Sequence, residues 1–427
     1  MQHTIDAFIS LRWPGGPLHG LAHLPASKSE ANRALILHAL AGGGQLRNLS
    51  DAHDTQLMQA LLAAAPGTAQ LSSEDAGTVM RFLTAYLSVI GWRGELTGTP
   101  RMQERPIAVL VGALREAGAE ITYVANDGYP PLQLNGFAPA AAANAGPTCL
   151  SVRGDISSQY ISALLMVGPY LPGGLELTLT GPIGSRPYID MTVALMARFG
   201  APCQANADAT QLTVPAGRYQ AADYAVESDW SAASYWYALV ALGPVGSEIT
   251  LPGLRQHSLQ GDQAIASIMA HFGVETTYLP AEEGVQLRQG PRPASSAILR
   301  LDFTDCPDLA QTVAVVAAAL GLPVDMTGLE SLRIKETDRI AALQTELAKF
   351  NGDLQEVEAG VFRAVSDAFR VAGQTVATYH DHRMAMAFAP LALRGPLVVA
   401  APQVVRKSYP QFWRELARAG FTVGEVG

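Results

Sequence analysis

Leu110-Val111-Gly112-Ala113-Leu114-Arg115-Glu116-Ala117-Gly118-Ala119-Glu120-Ile121-Thr122-Tyr123 joins an amphipathic helix to a β-prone run through one glycine. Glycine supplies the left-handed conformation that stops a helix, and the β-prone run then starts a strand. The same unit recurs along the chain. Leu195–Phe199 precedes Gly200, Ile268–Phe272 precedes Gly273, Leu343–Phe350 precedes Asn351-Gly352, and Trp413–Ala419 precedes Gly420. A weaker copy ends at Pro66-Gly67. The stops at 67, 118, 200, 273, 352 and 420 lie 51, 82, 73, 79 and 68 residues apart. Six loose copies of a βα-type unit fit two lobes of three units each.

A chain of 427 residues is long enough for two such lobes, each with its own core. Composition shifts around Tyr219–Ser228, which suggests a lobe boundary there. Apolar residues make up 48% and charged residues 16%, the balance of a well-buried globular protein. The net charge of −9 argues against diffuse attraction to nucleic acid or an anionic membrane. Cys149, Cys203 and Cys306 are odd in number and widely spaced, which suggests neither a disulfide framework nor a CxxC metal site. The apolar stretch from Val313 to Val324 contains Pro323 and is shorter than the ~20 residues a membrane span needs. Residues 1–6 have neither the basic nor the apolar region of a signal peptide. A soluble cytoplasmic protein is expected.

The positive charges carry the functional signal. Three of the four lysines, Lys28, Lys335 and Lys407, stand where apolar helices are predicted to begin, and Asp381-His382-Arg383 has the same character. A helix N-terminus already carries about half a positive charge, so cations there are unfavourable unless an anion joins them. Phosphates or carboxylates are the expected ligands.

Each motif also has a plainer reading. Ser27-Lys28-Ser29-Glu30 has the form of a capping box opening a helix over Ala31–Leu40, but a cap does not account for Lys28. Ser29 and Arg33 are spaced to share a helix face. Gly77, ahead of a helix over Val79–Ile90 with Arg81 in its first turn, would admit a ligand to the backbone or serve as a turn. Ser157-Ser158-Gln159 at a helix start fits a cap or a phosphate site, and capping is the commoner outcome. Lys335 and Arg339 are like charges four apart, with Glu336 and Asp338 between them. They converge on an anion or form a solvated mixed-charge face. Asp308 precedes the apolar helix Ala310–Leu320, as an ordinary first-turn carboxylate or, if buried, a proton acceptor. His380-Asp381-His382 lacks a further ligand cluster in the sequence and is followed by Arg383, so no metal is expected.

Taken in order, these motifs resemble the 5-enolpyruvylshikimate-3-phosphate synthase family. The resemblance runs through Ser27–Arg33, Ala76–Arg81, Pro100–Pro106, Ser157–Gln159, Ser185–Asp190, Pro307-Asp308, Lys335–Arg339, Asp381–Met386 and Lys407–Pro410. It implies an α/β fold of two lobes, 26–226 and 1–25 with 227–427, an inside-out α/β barrel with three βαβαββ repeats per lobe and helix N-termini facing the cleft that closes on substrate. It implies transfer of enolpyruvyl from phosphoenolpyruvate to the 5-hydroxyl of shikimate 3-phosphate by a monomer, with small-molecule substrates and without metal or organic cofactor. By the family pattern Lys28, Ser29, Arg33, Ser157, Ser158, Gln159, Ser185, Tyr188, Asp308 and Lys335 hold shikimate 3-phosphate. Lys28, Gly77, Arg105, Gln159, Arg339, Arg383 and Lys407 surround phosphoenolpyruvate. By the same pattern Asp308 is the candidate acceptor of the hydroxyl proton, and Glu336 and Lys28 are candidates to serve the C3 proton and the bridging phosphate oxygen. Two positions depart from the pattern: Asp75 stands where many relatives have Asn, and Phe82 where Pro is common. The nearest rival is the enolpyruvyl transferase acting on UDP-N-acetylglucosamine, from which Ser157-Ser158-Gln159 and the absence of a matching Cys loop separate this chain. A non-catalytic anion binder would gain nothing from Asp308 and Glu336.

Overall fold

The computed structural model describes residues 7–137, 146–155, 157–280, 284–292 and 297–426. Two compact units emerge: Ser27–Val226, and Met1–Ala26 together with Glu227–Gly427. The N-terminal strands β1 (Phe8–Arg12) and β2 (His19–Leu21) belong to the second of these.

The Ser27–Val226 unit opens with α1 (Lys28–Ala41), β3 (Leu46–Arg47) and α2 (His53–Ala64). A complete repeat follows: β4 (Gln70–Ser72), α3 (Gly77–Val89), β5 (Arg93–Thr97), α4 (Pro100–Gln103), α5 (Ala108–Glu116), β6 (Ala119–Tyr123) and β7 (Leu132–Phe137). The next comprises β8 (Thr148–Arg153), α6 (Ser158–Val167), β9 (Gly174–Thr180), α7 (Arg186–Arg198), β10 (Gln204–Ala205) and β11 (Gln211–Pro215). Strand β12 (Tyr224–Ala225) returns to pair in parallel with β3. In both complete repeats the first two strands are parallel, and a hairpin adds antiparallel to the second. That is βαβαββ.

The second unit continues with α8 (Trp230–Leu242), β13 (Glu248–Pro252), α9 (Ile265–Ala270), β14 (Val274–Tyr278) and β15 (Gly284–Gln289). Then come β16 (Leu299–Asp302), α10 (Ala310–Leu320), β17 (Val324–Thr327), α11 (Arg339–Ala348), β18 (Gly352–Glu358) and β19 (Val361–Ser366). The chain ends with β20 (Thr375–Val376), α12 (His382–Phe388), β21 (Leu397–Ala400), α13 (Phe412–Arg418) and β22 (Thr422–Val426). Two of its three sheets borrow from the N-terminus. Strand β2 lies parallel to β13, and β1 lies between β21 and β22, antiparallel to both.

Helices α8, α10 and α12 pack on one another, and α3 packs on α1 and α6 in the other unit. The sheets lie outside them, so the helices are apolar on nearly every side: all of α12, and α8 apart from Ser231, are buried. Every described sheet is open, an arrangement of ladders around helices rather than a closed barrel.

The helix stops fall where the glycines predict. Gly118, Gly200, Gly273 and Gly420 have φ of 104°, 84°, 86° and 104°, and Asn351 has 62°. Gly118, Gly200, Gly273 and Asn351 each precede the hairpin of their repeat, whereas Gly420 precedes β22, which pairs with β1. Gly67 is not among the left-handed residues, and after it the chain enters β4 of the next sheet. Its own sheet keeps only β3 and β12, which accounts for the weak sixth copy.

Two predicted helix starts are corrected. Lys335 lies four residues ahead of α11, because Asp338 caps that helix by accepting from the Ile340 and Ala341 amides at 3.1 Å each. Lys407 ends a 3-10 segment, Pro402–Lys407, and α13 begins only at Phe412, beyond Pro410. Lys28 is the first residue of α1, three residues earlier than predicted.

Candidate active site

In the Ser27–Val226 unit the candidate residues gather at helix starts. Ser27 caps α1, its hydroxyl accepting from the Glu30 amide at 3.4 Å. The Lys28 ammonium lies 3.1 Å from Asp54 Oδ2 in the first turn of α2. Asp54 is buried, and its second oxygen has no hydrogen-bond partner among the described residues. Sequence reasoning passed over Asp54.

Arg33 is buried on α1 and ties three helices together. It donates to Thr192 Oγ1 at 2.7 Å, Ser162 Oγ at 2.9 Å and the Ser29 carbonyl at 2.8 Å. Its guanidinium carbon lies 5.3 Å from the Phe82 ring centre and 5.8 Å from that of Tyr188. Phe82, the departure from the family's proline, is thus a cation–π partner of Arg33. Burial lowers the Arg33 pKa to about 10, while Tyr188 and Glu30 oppose that shift. Even so, the side chain is charged at neutral pH.

Gly77 begins α3, and a Cβ there would meet the Arg105 guanidinium at 2.7–2.9 Å. The absent side chain is therefore what lets Arg105 lie across this helix start. Arg105 Nη1 reaches the Asp75 carbonyl at 3.5 Å. Arg81 donates to Gln159 Oε1 at 2.5 Å, and Gln159 Nε2 donates to Thr78 Oγ1 at 2.9 Å, fastening the start of α6 to that of α3. Ser157 caps α6 through the Gln159 amide at 3.4 Å. By contrast, the hydroxyls of Ser29, Ser158 and Ser185 make no hydrogen bond among the described residues. Ser185 has φ 54° and leaves its helix without a side-chain cap. A strained non-glycine backbone that does not serve capping fits a ligand role.

In the other unit the candidates form one ion-pair network. Asp308 Oδ1 accepts from Arg339 Nη1 at 2.9 Å, and Oδ2 from Arg383 Nη2 at 2.9 Å; Lys335 Nζ is 3.7 Å from Oδ1. Glu336 accepts from Arg339 Nη2 at 2.9 Å and lies 3.7 Å from Lys407 Nζ. Asp381, fully buried at the start of α12, accepts from Arg339 Nε at 2.7 Å and from the Arg383 amide at 2.8 Å. Four cations thus face three carboxylates, 4 − 3 = +1, in an acidic protein. Sequence reasoning cited Asp381 only within a motif; the structure makes it the anchor of Arg339.

Burial opposes the charge on Asp308, but Arg383, Lys335 and Arg339 more than offset it and hold its carboxyl well below the ordinary range. Arg339 is raised despite burial, because Asp381, Glu336 and Asp308 surround it. The network can attract an anion, and a proton acceptor sits at its centre. Among the described residues no group of three His, Cys, Asp or Glu side chains could hold a metal ion, including around His380 and His382.

A family model described as EPSP synthase (3-phosphoshikimate 1-carboxyvinyltransferase) matches residues 13–416. The chain is 48% identical over 407 residues to a Bacteroides fragilis (strain YCH46) protein named 3-phosphoshikimate 1-carboxyvinyltransferase, covering 94% of this chain and 95% of that one. A protein of the same name from Methanospirillum hungatei is 35% identical over 429 residues, covering 94% of this chain and 96% of its own. Among solved structures, an EPSP synthase from Acinetobacter baumannii matches with a TM-score of 0.78 over 99% of this chain and 100% of that one. At 21% identity, this is a likeness of fold.

Proposed function

The chain belongs to the EPSP synthase family, and we propose that its two helix-start clusters serve the family's one reaction with the residues named above. The enzyme is a transferase that moves the enolpyruvyl group of phosphoenolpyruvate to shikimate 3-phosphate and releases phosphate, within the shikimate pathway of aromatic amino-acid biosynthesis. The observation that carries the assignment of roles is the Asp308 network, where cations outnumber carboxylates around a half-buried acceptor.

In this reading Ser29, Arg33, Ser157, Ser158, Gln159, Ser185 and Tyr188 hold shikimate 3-phosphate, with Lys28, Asp308 and Lys335 at the reacting end. Lys28, Gly77, Arg105, Gln159, Arg339, Arg383 and Lys407 hold phosphoenolpyruvate. The three unengaged serine hydroxyls support the first set, and the gap that Gly77 leaves for Arg105 supports the second.

Protonation of C3 makes C2 of phosphoenolpyruvate cation-like. The 5-hydroxyl then attacks C2 and loses its proton, giving a tetrahedral adduct. Loss of a C3 proton and cleavage of the C2–O bond to phosphate restore the double bond in the product. In this reading Asp308 accepts the hydroxyl proton. Its present cations make it a weak base, but a phosphoenolpyruvate anion drawing on Arg339, Arg383 and Lys335 would relax their hold. Substrate arrival thereby raises the basicity of Asp308 when the chemistry needs it. Glu336, between Arg339 and Lys407, and Lys28, beside Asp54, serve C3 and the bridging phosphate oxygen. The arginines neutralise the departing phosphate. Closure on substrate, a monomeric state and a cytoplasmic setting belong to the same reading. Among the described residues, no helix is long and apolar enough to cross a membrane.

The test is phosphate release from phosphoenolpyruvate with shikimate 3-phosphate as acceptor, comparing the parent with Asp308→Ala and Lys28→Ala. Each substitution is expected to lower kcat by about 10²-fold or more. Losses under about threefold would remove both residues from the proposed roles.

A further inference from the structure

One buried carboxylate next to this network has no part in the reaction as described. Asp262 lies in the 3-10 turn Gly261–Ala264 that leads into α9, and it is 2% exposed. Its Oδ2 accepts a short hydrogen bond from Ser231 Oγ, at the start of α8. Its Oδ1 is buried with no hydrogen-bond partner among the described residues. Ser231 Oγ in turn accepts from Arg383 Nη2 at 3.4 Å, and the same nitrogen donates to Asp308 Oδ2 at 2.9 Å. A continuous path runs from Asp262 through Ser231 and Arg383 to Asp308.

A half-satisfied buried carboxylate is costly, and replacement by an apolar residue is often neutral or stabilising. Bulk packing therefore does not account for an acid at this position. We propose that Asp262 is a positioning residue for the phosphoenolpyruvate site: through Ser231 it fixes Arg383, and its charge sets how much of that guanidinium's positive field remains for an anionic substrate. The inference rests on the reading of Arg383 as a phosphoenolpyruvate ligand.

The charged and titratable groups facing Asp262 are Asp308 and Arg383, with Asp229 at the start of α8 and the Cys306 thiol ahead of α10. Burial raises the Asp262 pKa to about 7, and Asp308 adds to the shift, while Arg383 and the Ser231 hydroxyl oppose it. The carboxyl therefore changes charge in the neutral range. Protonated, it no longer draws on the positive charge of Arg383. Ionised, it competes with the substrate for Arg383, so affinity for phosphoenolpyruvate falls as pH rises through this range.

The experiment measures KM for phosphoenolpyruvate by phosphate release in the full-length enzyme, at saturating shikimate 3-phosphate, from about pH 6 to about pH 8.5. The wild type is compared with Asp262→Asn, which is permanently neutral and can still bond Ser231. Titration of the substrate's own phosphate cancels in the ratio of the two KM values. That ratio, wild type over variant, is expected to start near unity and rise by about fivefold or more across the range. A constant ratio, with the two profiles parallel, marks a merely structural residue and overturns the proposal. Ser231→Ala keeps the carboxyl but breaks the bridge, and KM is expected above the parent's throughout; an unchanged KM also counts against it. Arg383→Gln separates the premise from the inference. If it leaves KM unchanged, the assignment of Arg383 fails; if it raises KM while the ratio above stays flat, only the role of Asp262 fails.

Discussion

Asp308 is held by Arg339 and Arg383 at 2.9 Å each, and these bonds lower its proton affinity on folding. The unfolded chain, with an ordinary value near 3.8, therefore binds this proton more readily than the native protein does. The stabilisation is complete above that value and drains away as pH falls through the lower native one. Asp308→Asn removes it and leaves three cations less well balanced, at a cost of about 2 kcal/mol near neutrality. Thermal unfolding across pH checks this: the Tm gap between parent and variant should be widest near pH 7 and narrow below about pH 4. A gap independent of pH, or one that widens in acid, would show that the ion pairs contribute nothing. At this scale the sequence showed which residue types matter, through scarce lysines and the carboxylates among them. It could not show Asp54 or Asp262, because a first-turn carboxylate looks the same in sequence whether solvated or buried against a neighbouring helix.

Helix ends were far more legible than helix beginnings. Left-handed glycine is a local requirement, so Gly118, Gly200, Gly273 and Gly420 could be read one at a time, and their φ values bear this out. Beginnings depend on which of several polar residues captures the first amides. In Lys335-Glu336-Thr337-Asp338-Arg339 the lysine invited an early start, whereas Asp338 takes the cap and Lys335 is left outside, 3.7 Å from Asp308. That one cap fixes where Arg339 enters the network. Asp338→Ala is therefore expected to cost about 1 kcal/mol in denaturant unfolding. It should also raise KM for phosphoenolpyruvate, because the first turn of α11 carries Arg339. An unfolding midpoint and a KM both matching the parent's would show that the helix start is fixed by packing alone. The inner helix α10 spans Ala310–Leu320 as predicted, whereas α8 was left without a predicted range. Apolar on nearly all sides, α8 lacks the one-faced stripe that marks a surface helix.

For the whole molecule, the repeat count of six came from glycine spacing, but its wiring did not. The N-terminal strand β1 completes a sheet with β21 and β22 from the far end of the chain, in the register Ile9 against Val399 and Glu425. Long-range pairing of this kind leaves no local pattern, since β1 reads as any half-buried strand. Its removal is correspondingly informative. Ile9 and Leu11 are buried in the core of the unit that contains α8, α10 and α12, each worth roughly 1.5–3 kcal/mol, and β1 pairs on both edges. Deleting the segment through Arg12 should abolish amide-exchange protection of Leu397–Ala400 and Thr422–Val426. The sheets of Ser27–Val226 contain no strand from outside that range, so β5, β7, β9 and β11 should keep their protection. If protection vanished equally from both sets, the two units would be one cooperative block, and stability lost in one would be lost by the serine cluster of the other. If it persists in Ser27–Val226 alone, that unit carries its serine and arginine cluster on a framework that stands independently of the strand order around Asp308.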